Sequence, residues 1–558
     1  MSATTDWESI AALHRTKQLD STPSTWLLKE AQLQELRNAG TPSEGRLIES
    51  KAVQRSGLLS DRELLITEDF KATELLAKIS CQELSSEEVV VAFCKRASLA
   101  QQLTSCLTEV MFNEAIERAK ILDKQLKETG KLAGPLHGLP ISLKDTFVVK
   151  GHHATVGYVE FLRRPIPDTN SALVDLLVDA GAVLFCKTNL PQTMMTADSE
   201  NNVFGRTLNP HNTNLTAGGS TGGEGALLSF RGSPLGVGTD IAGSIRIPSL
   251  CCGIYGFKPT GDRVPFWGQA HYPFPRIALP GVVPTAGPMG NSVEDLLMFM
   301  RTVMGQQPWR YDPTAINVPW RDLNEGFDKP LTIGILSDDP SSPVHPPVRR
   351  ALEKAASALQ KDGHNVVHLS PNPQTSAGLG GKIGFQYFGM GHRDLDAIAR
   401  EIGEPLVASV VRGAHPFGKG EFPVSPDLPI PQRLSDLNQV KFSYAKAWQQ
   451  TWLDNELDVI LTPGAVSTAV PHDTYGIPNY TTMWNVLDYP AGIIPYGTSS
   501  KFEDDQFEKG QALFDPDYQP EVMHGAPCAL QVVTPRFQDE ECLRAMQIID
   551  KSLRLHSD

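Results

Sequence analysis

The chain has no apolar run long enough to cross a membrane; stretches such as Val89-Val90-Val91-Ala92-Phe93 fall far short of the roughly 20 residues a spanning helix needs. It has no excess of positive charge either: 50 Lys and Arg stand against 64 Asp and Glu, a net charge of −14. That balance repels phosphate backbones and anionic lipid surfaces, so neither nucleic acid nor a membrane is expected as a partner. Residues 1–14 carry acidic groups and lack the continuous apolar core of an export signal, which leads to the expectation of a cytoplasmic protein. The eight cysteines include no C-x-x-C pair, so no metal site is read from them and they are expected to be reduced thiols. Adjacent Cys251 and Cys252 read as small buried hydrophobes. Internal repeats and low-complexity tracts are absent.

What is present is ordinary globular composition, 41% hydrophobic and 20% charged over 558 residues, enough for a large core. Residues 1–60 are expected to form an N-terminal helical extension and residues 61–558 a single large domain. In the extension, Trp7, Ile10, Ala11 and His14 are spaced for one helix face, and a second helix is predicted over 26–36, after the Thr22-Pro23 break. A helical region over 67–79 follows, and Ser85 with Glu88 reads as a capping box opening the next helix. From Gly134 onward the chain is dense in glycine and proline between short apolar runs, the pattern of buried strands joined by loops. In Leu139-Pro-Ile-Ser-Leu-Lys144, alternation puts Leu139, Ile141 and Leu143 on one face and Ser142 with Lys144 on the other. A helix over 171–180 stopped by Gly181 and a strand over 182–186 make an α/β step. The pattern recurs as strand 331–336, helix 348–360 and strand 365–369, with further strands near Val459-Ile460 and over 530–533. Residues 374–445, rich in Gly and Pro, read as irregular and are expected to supply loops that shape a substrate site.

The most unusual text is Ala217-Gly-Gly-Ser-Thr-Gly-Gly-Glu-Gly225 followed by Gly236-Val-Gly-Thr-Asp-Ile-Ala-Gly-Ser-Ile-Arg246, which sets Ser220 and Ser244 in separate glycine-rich turns. Glycine there lets backbone approach a ligand closely and builds nests of amide donors. A dinucleotide fingerprint fails, because Ile241 stands where the third glycine belongs. A phosphate loop fails for want of Lys-Ser/Thr after the glycines. Gly218-x-Ser220-x-Gly222 does satisfy the nucleophile-elbow pattern, with Asp473 and His524 following in the required order, although residues 212–216 do not read as the buried strand an elbow needs. Lys144 taken alone reads as a strand-end lysine paired with Asp145 or another acid, and Asp240 with Arg246 as a structural ion pair.

Gly134-Pro-Leu-His-Gly-Leu-Pro-Ile-Ser-Leu-Lys-Asp145, Lys187-Thr-Asn-Leu-Pro-Gln192, Gly218-Gly-Ser-Thr-Gly-Gly-Glu224, Gly238-Thr-Asp-Ile-Ala-Gly-Ser-Ile-Arg246 and Gly253-Ile-Tyr-Gly-Phe-Lys-Pro259 occur in that order. On these words the chain resembles the amidase signature enzymes over residues 60–550, most densely from Gly134 to Val264. Phe93-Cys-Lys-Arg-Ala97, Pro135-Leu-His-Gly-Leu-Pro140 and His524-Gly-Ala-Pro527 make it similar to the fungal acetamidase branch. The resemblance implies an α/β fold with a large twisted mixed β-sheet covered by α-helices on both faces. It implies hydrolysis of a carboxamide, with a small primary amide such as acetamide as the expected substrate, to carboxylate and ammonia through an acyl-enzyme on Ser244.

In that scheme Lys144 is the base and Ser220, after a cis peptide bond, relays the proton. The amides of Ile241, Ala242, Gly243 and Ser244 form the oxyanion hole, and Met194 and Met195 border the acyl pocket. Thr221, Asp240 and Arg246 support the two loops. A lysine side chain ordinarily titrates near about 10.4, so it can act as a base at neutral pH only if burial lowers that value. No metal or organic cofactor is implied, the amide is the expected small-molecule partner, and a homodimer is left open. Two departures stand out: Thr221 replaces the more usual serine, and Ala242 a usual glycine, whose Cβ would strain the turn if that position had positive φ. The rival readings are a serine esterase using Ser220, the glutaminase subunit of a transfer-RNA-dependent amidotransferase, and a catalytically silent binding protein on the same fold. Met194 and Met195 read equally well as core residues.

Overall fold

The computed structural model describes residues 7–38, 45–271, 281–323, 330–336, 338–340, 342–390, 397–413, 421–504 and 515–556. Among these residues thirteen strands occur in chain order. They are β1 Leu107–Val110, β2 Pro140–Lys144, β3 Val183–Thr188, β4 Glu200–Asn201, β5 Gly205–Arg206, β6 Leu235–Asp240 and β7 Tyr255–Lys258. Then come β8 Thr285–Gly290, β9 Thr332–Ile335, β10 Asn365–His368, β11 Val459–Pro463, β12 Ala491–Thr498 and β13 Pro527–Val533. Eleven of them form one sheet in the order β1-β3-β2-β6-β8-β7-β12-β13-β11-β9-β10, while β4 and β5 pair separately. The sheet is mixed: β2 runs parallel to both β3 and β6, whereas β6, β8, β7, β12 and β13 are joined by antiparallel pairs.

Both faces are covered, and the strands show it residue by residue. Val459 and Leu461 enter one apolar cluster while Ile460 between them enters another, and Val532 and Val533 divide in the same way. One face is packed by helices that include Ala172–Asp179, Val293–Gly305, Pro346–Lys361 and Asp539–Leu555, whose buried residues join the first cluster. Period-two burial on both sides is what a sheet with two helical layers requires. Among the described residues no helix is long and apolar enough to cross a membrane.

The N-terminal helix Trp7–Asp20 buries Ala11 and His14 and lies on the body: Gln18 donates to the carbonyls of Leu107 and Thr108 on β1 at 3.0 and 2.9 Å. All eight cysteines are free; Cys81 is exposed and the other seven, Cys251 and Cys252 among them, are buried.

Three expectations about helices need correction. The region 67–79 is two helices, Asp61–Glu68 and Ala72–Ser80, because Lys71 starts the second with its own capping box to Glu74. Ser85 caps its helix through the Glu88 amide, but the Glu88 carboxylate turns to Arg62 instead of completing the box. Residues 374–445 are not irregular where they are described. They contain helices Ala377–Met390, Ala397–Glu401 and Ala408–Gly413 and the start of Ile430–Asp454, with 391–396 and 414–420 outside the described residues.

The glycines that suggested loops there serve close helix packing. A Cβ on Gly380 would stand 2.5 Å from Met483 Cβ and 2.9 Å from its Cα, and one on Gly384 would stand 2.4 Å from Thr482 Cγ2. Both neighbours belong to helix Asn479–Val486.

Gly380→Ala is therefore expected to lower unfolding stability by about 1–3 kcal/mol through overpacking. Gly389→Ala in the same helix, where a Cβ meets nothing within 4 Å, should leave it nearly unchanged. Urea denaturation of the two variants checks this, and equal midpoints would refute the packing role.

Candidate functional site

Lys144 ends β2 with its side chain fully buried. Its amine donates to Ser220 Oγ at 2.7 Å and to Thr239 Oγ1 at 2.8 Å. Asp145 is not its partner: that carboxylate stands 3.3 Å from Lys187 and accepts from the hydroxyls of Thr108 and Thr155 and the amides of Thr155 and Val156. Burial pulls the Lys144 ammonium down to about 7, against the opposing pull of the Asp240 charge.

The Ser220 turn is held from several sides. Its Gly219–Ser220 peptide is cis, and Gly218 has φ +80°. Ser199 Oγ donates to the Gly218 carbonyl and accepts from the Gly222 amide, each at 3.0 Å, so one hydroxyl joins both ends of the turn. Beneath Gly219 lies the 196–197 backbone; a Cβ there would stand 2.3 Å from the Thr196 carbonyl oxygen. Helix Gly222–Ser229 follows, with Glu224 buried in its first turn. The Glu224 carboxyl accepts from Ser142 Oγ and from Thr188 Oγ1, the latter at 2.7 Å, and burial pushes it up to about 7. Ser142 shares the Lys144 face of β2, so Glu224 ties the helix behind Ser220 to the strand that carries the amine.

The elbow arrangement is not built. Asp473 pairs with Arg206, the His524 carbonyl accepts from Arg46, and Leu215 and Thr216 make only isolated bridges.

β6 ends at Asp240, the chain turns through 241–245, and helix Arg246–Cys252 follows. Asp240 and Arg246 are both buried and 2.9 Å apart, as an ion pair. The carboxylate also accepts from the amides of Gly243 at 2.9 Å and Ile245 at 3.1 Å and from Asn485 Nδ2 at 2.9 Å. Burial alone would raise its pKa, but the Arg246 charge and these donors hold it well below the usual carboxylate range. Arg246 reaches on to the Thr481 carbonyl at 2.9 Å, Gln531 Oε1 at 2.8 Å and Asn485 Oδ1 at 2.6 Å.

Gly243 does not belong with the free donors of this turn, since its amide is bonded to Asp240. The amides of Ile241, Ala242 and Ser244 carry no hydrogen bond to another described residue. Ala242 lies outside the left-handed region, which falls on Gly243 at φ +128°, so the alanine does not strain the turn. Ser244 is 9% exposed. The Ser220 turn meets the elements on either side of the Ser244 turn: Thr221 Oγ1 donates to the Thr239 carbonyl of β6 at 3.4 Å, and a Cβ on Gly218 would stand 2.8 Å from Pro248 Cα in the helix that follows.

Met194 packs partly buried beside Val156, Tyr158 and Phe161, while Met195 is 41% exposed and so is no core residue. Both adjoin the 196–197 backbone that supports Gly219. Sequence reasoning missed Thr239, Ser199, Glu224, Thr481, Asn485 and Gln531. Thr239 and Glu224 stand inside words already singled out, but nothing local marks the last three, which reach the turn only through the fold.

A family model described as Amidase matches residues 88–543. The chain is 39% identical to an amidase of Gibberella moniliformis, covering 99% of this chain and 100% of that one. It is 35% identical to an acetamidase of Aspergillus oryzae over 98% of this chain and 99% of the relative. Among solved structures, a fatty acid amide hydrolase superposes with a TM-score of 0.88 at 31% identity, covering 99% of this chain and 95% of that one.

Asp240→Asn removes the charge partner of a fully buried guanidinium and is expected to cost about 3–5 kcal/mol of stability. Denaturant unfolding at neutral pH measures it; a loss below about 1 kcal/mol would show that Arg246 does not depend on that carboxylate.

Proposed function

The chain belongs to the amidase signature family and is an amidase, a hydrolase of C–N bonds, and from that premise we propose that it cleaves a small primary carboxamide such as acetamide through an acyl-enzyme on Ser244. The observation that carries this reading is the buried Lys144 amine 2.7 Å from Ser220 Oγ, with its pKa brought down to about 7. At neutral pH a substantial fraction of that amine is uncharged and free to accept a proton.

Neutral Lys144 takes the proton of Ser220 Oγ, which takes that of Ser244 Oγ as the latter attacks the amide carbon. The carbonyl oxygen becomes an oxyanion, met by the unpaired amides of Ile241, Ala242 and Ser244. The tetrahedral adduct then collapses: the C–N bond breaks, the proton returns through Ser220 to the nitrogen, and ammonia leaves. Water, deprotonated along the same chain, attacks the ester and releases the carboxylate with Ser244 restored. Thr221, Asp240 and Arg246 take no part in proton transfer; they hold the turns. Met194 and Met195 would border the acyl group, where a polarisable thioether adapts to small apolar shapes.

Acetamide is the preferred substrate because of the likeness to an acetamidase over nearly the whole chain. A longer acyl chain is the second reading, favoured by the likeness to a fatty acid amide hydrolase.

Ammonia release across a series of amides of increasing acyl length, with glutamine included, separates these readings. We expect the highest kcat/KM at the short end; a maximum at long chains would favour the second reading, and release from glutamine alone the amidotransferase subunit. Fluorophosphonate adducts should map to Ser244, whereas labelling of Ser220 would favour the esterase reading.

Because the neutral amine is the active form, kcat/KM should rise with pH through about 7 and level above it. Lys144→Ala should lose roughly 10²–10⁴-fold in kcat/KM. A flat profile between pH 5.5 and 8.5, or an undiminished Lys144→Ala, would remove the base.

A further inference from the structure

We propose that Thr481 is a positioning residue for the oxyanion turn, its hydroxyl setting the orientation of the Ala242–Gly243 peptide and through it the aim of the neighbouring free amides. This rests on the reading of Ser244 as nucleophile. The peptide plane is gripped at both polar atoms. Its oxygen accepts from Thr481 Oγ1 at 2.6 Å and from Thr482 Oγ1 at 3.3 Å, and its nitrogen donates to Asp240 at 2.9 Å. A plane held at oxygen and nitrogen cannot rotate about its Cα–Cα axis. The flanking amides of Ala242 and Ser244 then inherit fixed directions, and these are donors the turn leaves unpaired.

Thr481 is itself located independently of any substrate. Its carbonyl accepts from Arg246 Nη1 at 2.9 Å, and Arg246 Nη2 stands 2.9 Å from Asp240, so the contacts close into a ring: Asp240, Gly243, Ala242, Thr481, Arg246 and back to Asp240. The same hydroxyl has a competing acceptor, the Pro478 carbonyl one helical turn back at 3.1 Å, but the Ala242 contact is the shorter. Gly243 could carry no side chain here, since its Cβ would stand 2.3 Å from Thr481 Oγ1. The hydroxyl thus sits hard against the turn at the bond that must not rotate. Since charge appears on the carbonyl oxygen only as the adduct forms, misaimed donors weaken the transition state more than the bound amide.

The test compares Thr481→Val, which keeps the shape and removes the hydroxyl, with Thr481→Ser, which keeps the hydroxyl, and with Ser244→Ala, all as full-length protein. Acetamide hydrolysis and inhibition by phenylboronic acid, whose tetrahedral serine adduct mimics the oxyanion, are measured for each. Thr481→Val should lose about ten- to a hundredfold in kcat, with KM little changed. Its Ki for the boronic acid should rise in step, and Thr481→Ser should stay within about threefold of the unmodified protein. If Thr481→Val does not fold, Thr481→Ala carries the same expectations. An unchanged kcat, a rise in KM alone, a kcat loss without weaker boronate binding, or a Thr481→Ser as impaired as Thr481→Val would each overturn the proposal. Hydrolysis surviving in Ser244→Ala would instead overturn the nucleophile on which it rests, whatever Thr481 does.

Discussion

An amine taken out of water and given only hydroxyls for company is the constraint around which the centre of this fold is arranged. Lys144 has Ser220 and Thr239 within hydrogen-bond reach and, among the described residues, no carboxylate paired with it. Acids are close by, yet each is engaged elsewhere: Asp145 with Lys187, Asp240 with Arg246, Glu224 with two hydroxyls while burial favours its protonated form. A direct pair with any of them would stabilise the ammonium and undo the effect of desolvation. The buried cations Lys187 and Arg246 thus have an electrostatic reason to be where they are. They pair with two acids near the amine, although the Asp240 charge still favours the ammonium against the effect of burial.

Much of this was legible locally. Alternation along 139–144 put Ser142 and Lys144 on the side opposite Ile141 and Leu143, and the strand does so, because a period of two admits no other arrangement once one face is apolar. The glycine words located both serine turns, since few other sequences tolerate such close backbone contact. Illegible were the residues that close the site from afar. Thr481, Asn485 and Gln531 carry no motif, and their contacts with the Ser244 turn span more than 230 positions of chain. Gly380, Gly381 and Gly384 misled in the opposite direction. Glycine marks loops when backbone freedom is what matters, but here it marks a helix surface pressed against another, and composition alone does not separate the two. The helical region 67–79 failed for a related reason. Its apolar spacing runs on across Asp69 to Lys71, while the caps that interrupt it depend on which side chains turn back on the backbone.

The N-terminal helices also have a physical purpose. β1 is an edge strand, and an open edge invites pairing with another chain. The helix Trp7–Asp20 lies along it, with Gln18 bonded to two of its carbonyls and His14 standing 2.9 Å from the Glu109 carboxylate. β1 in turn touches the centre, for Thr108 donates to Asp145, one residue beyond Lys144. The opposite edge, β10, is only four residues long and ends in exposed Asn365 and His368, which makes it a poor template without any cover.

The reach of Arg246 has a consequence for biosynthesis. The guanidinium has its acidic partner within six residues, but its full set of acceptors includes Asn485 and Gln531, the latter on β13 near the C-terminus. β13 lies inside the sheet between β12 and β11, so it is inserted among strands that precede it in the chain. Until that strand is in place the guanidinium keeps Asp240, the Thr481 carbonyl and Asn485 but lacks Gln531 Oε1, so its set of acceptors is incomplete. A nascent polypeptide that already carries the Ser220 and Ser244 turns therefore still lacks one of the contacts that brace the second of them, and that bracing is complete only when β13 has docked.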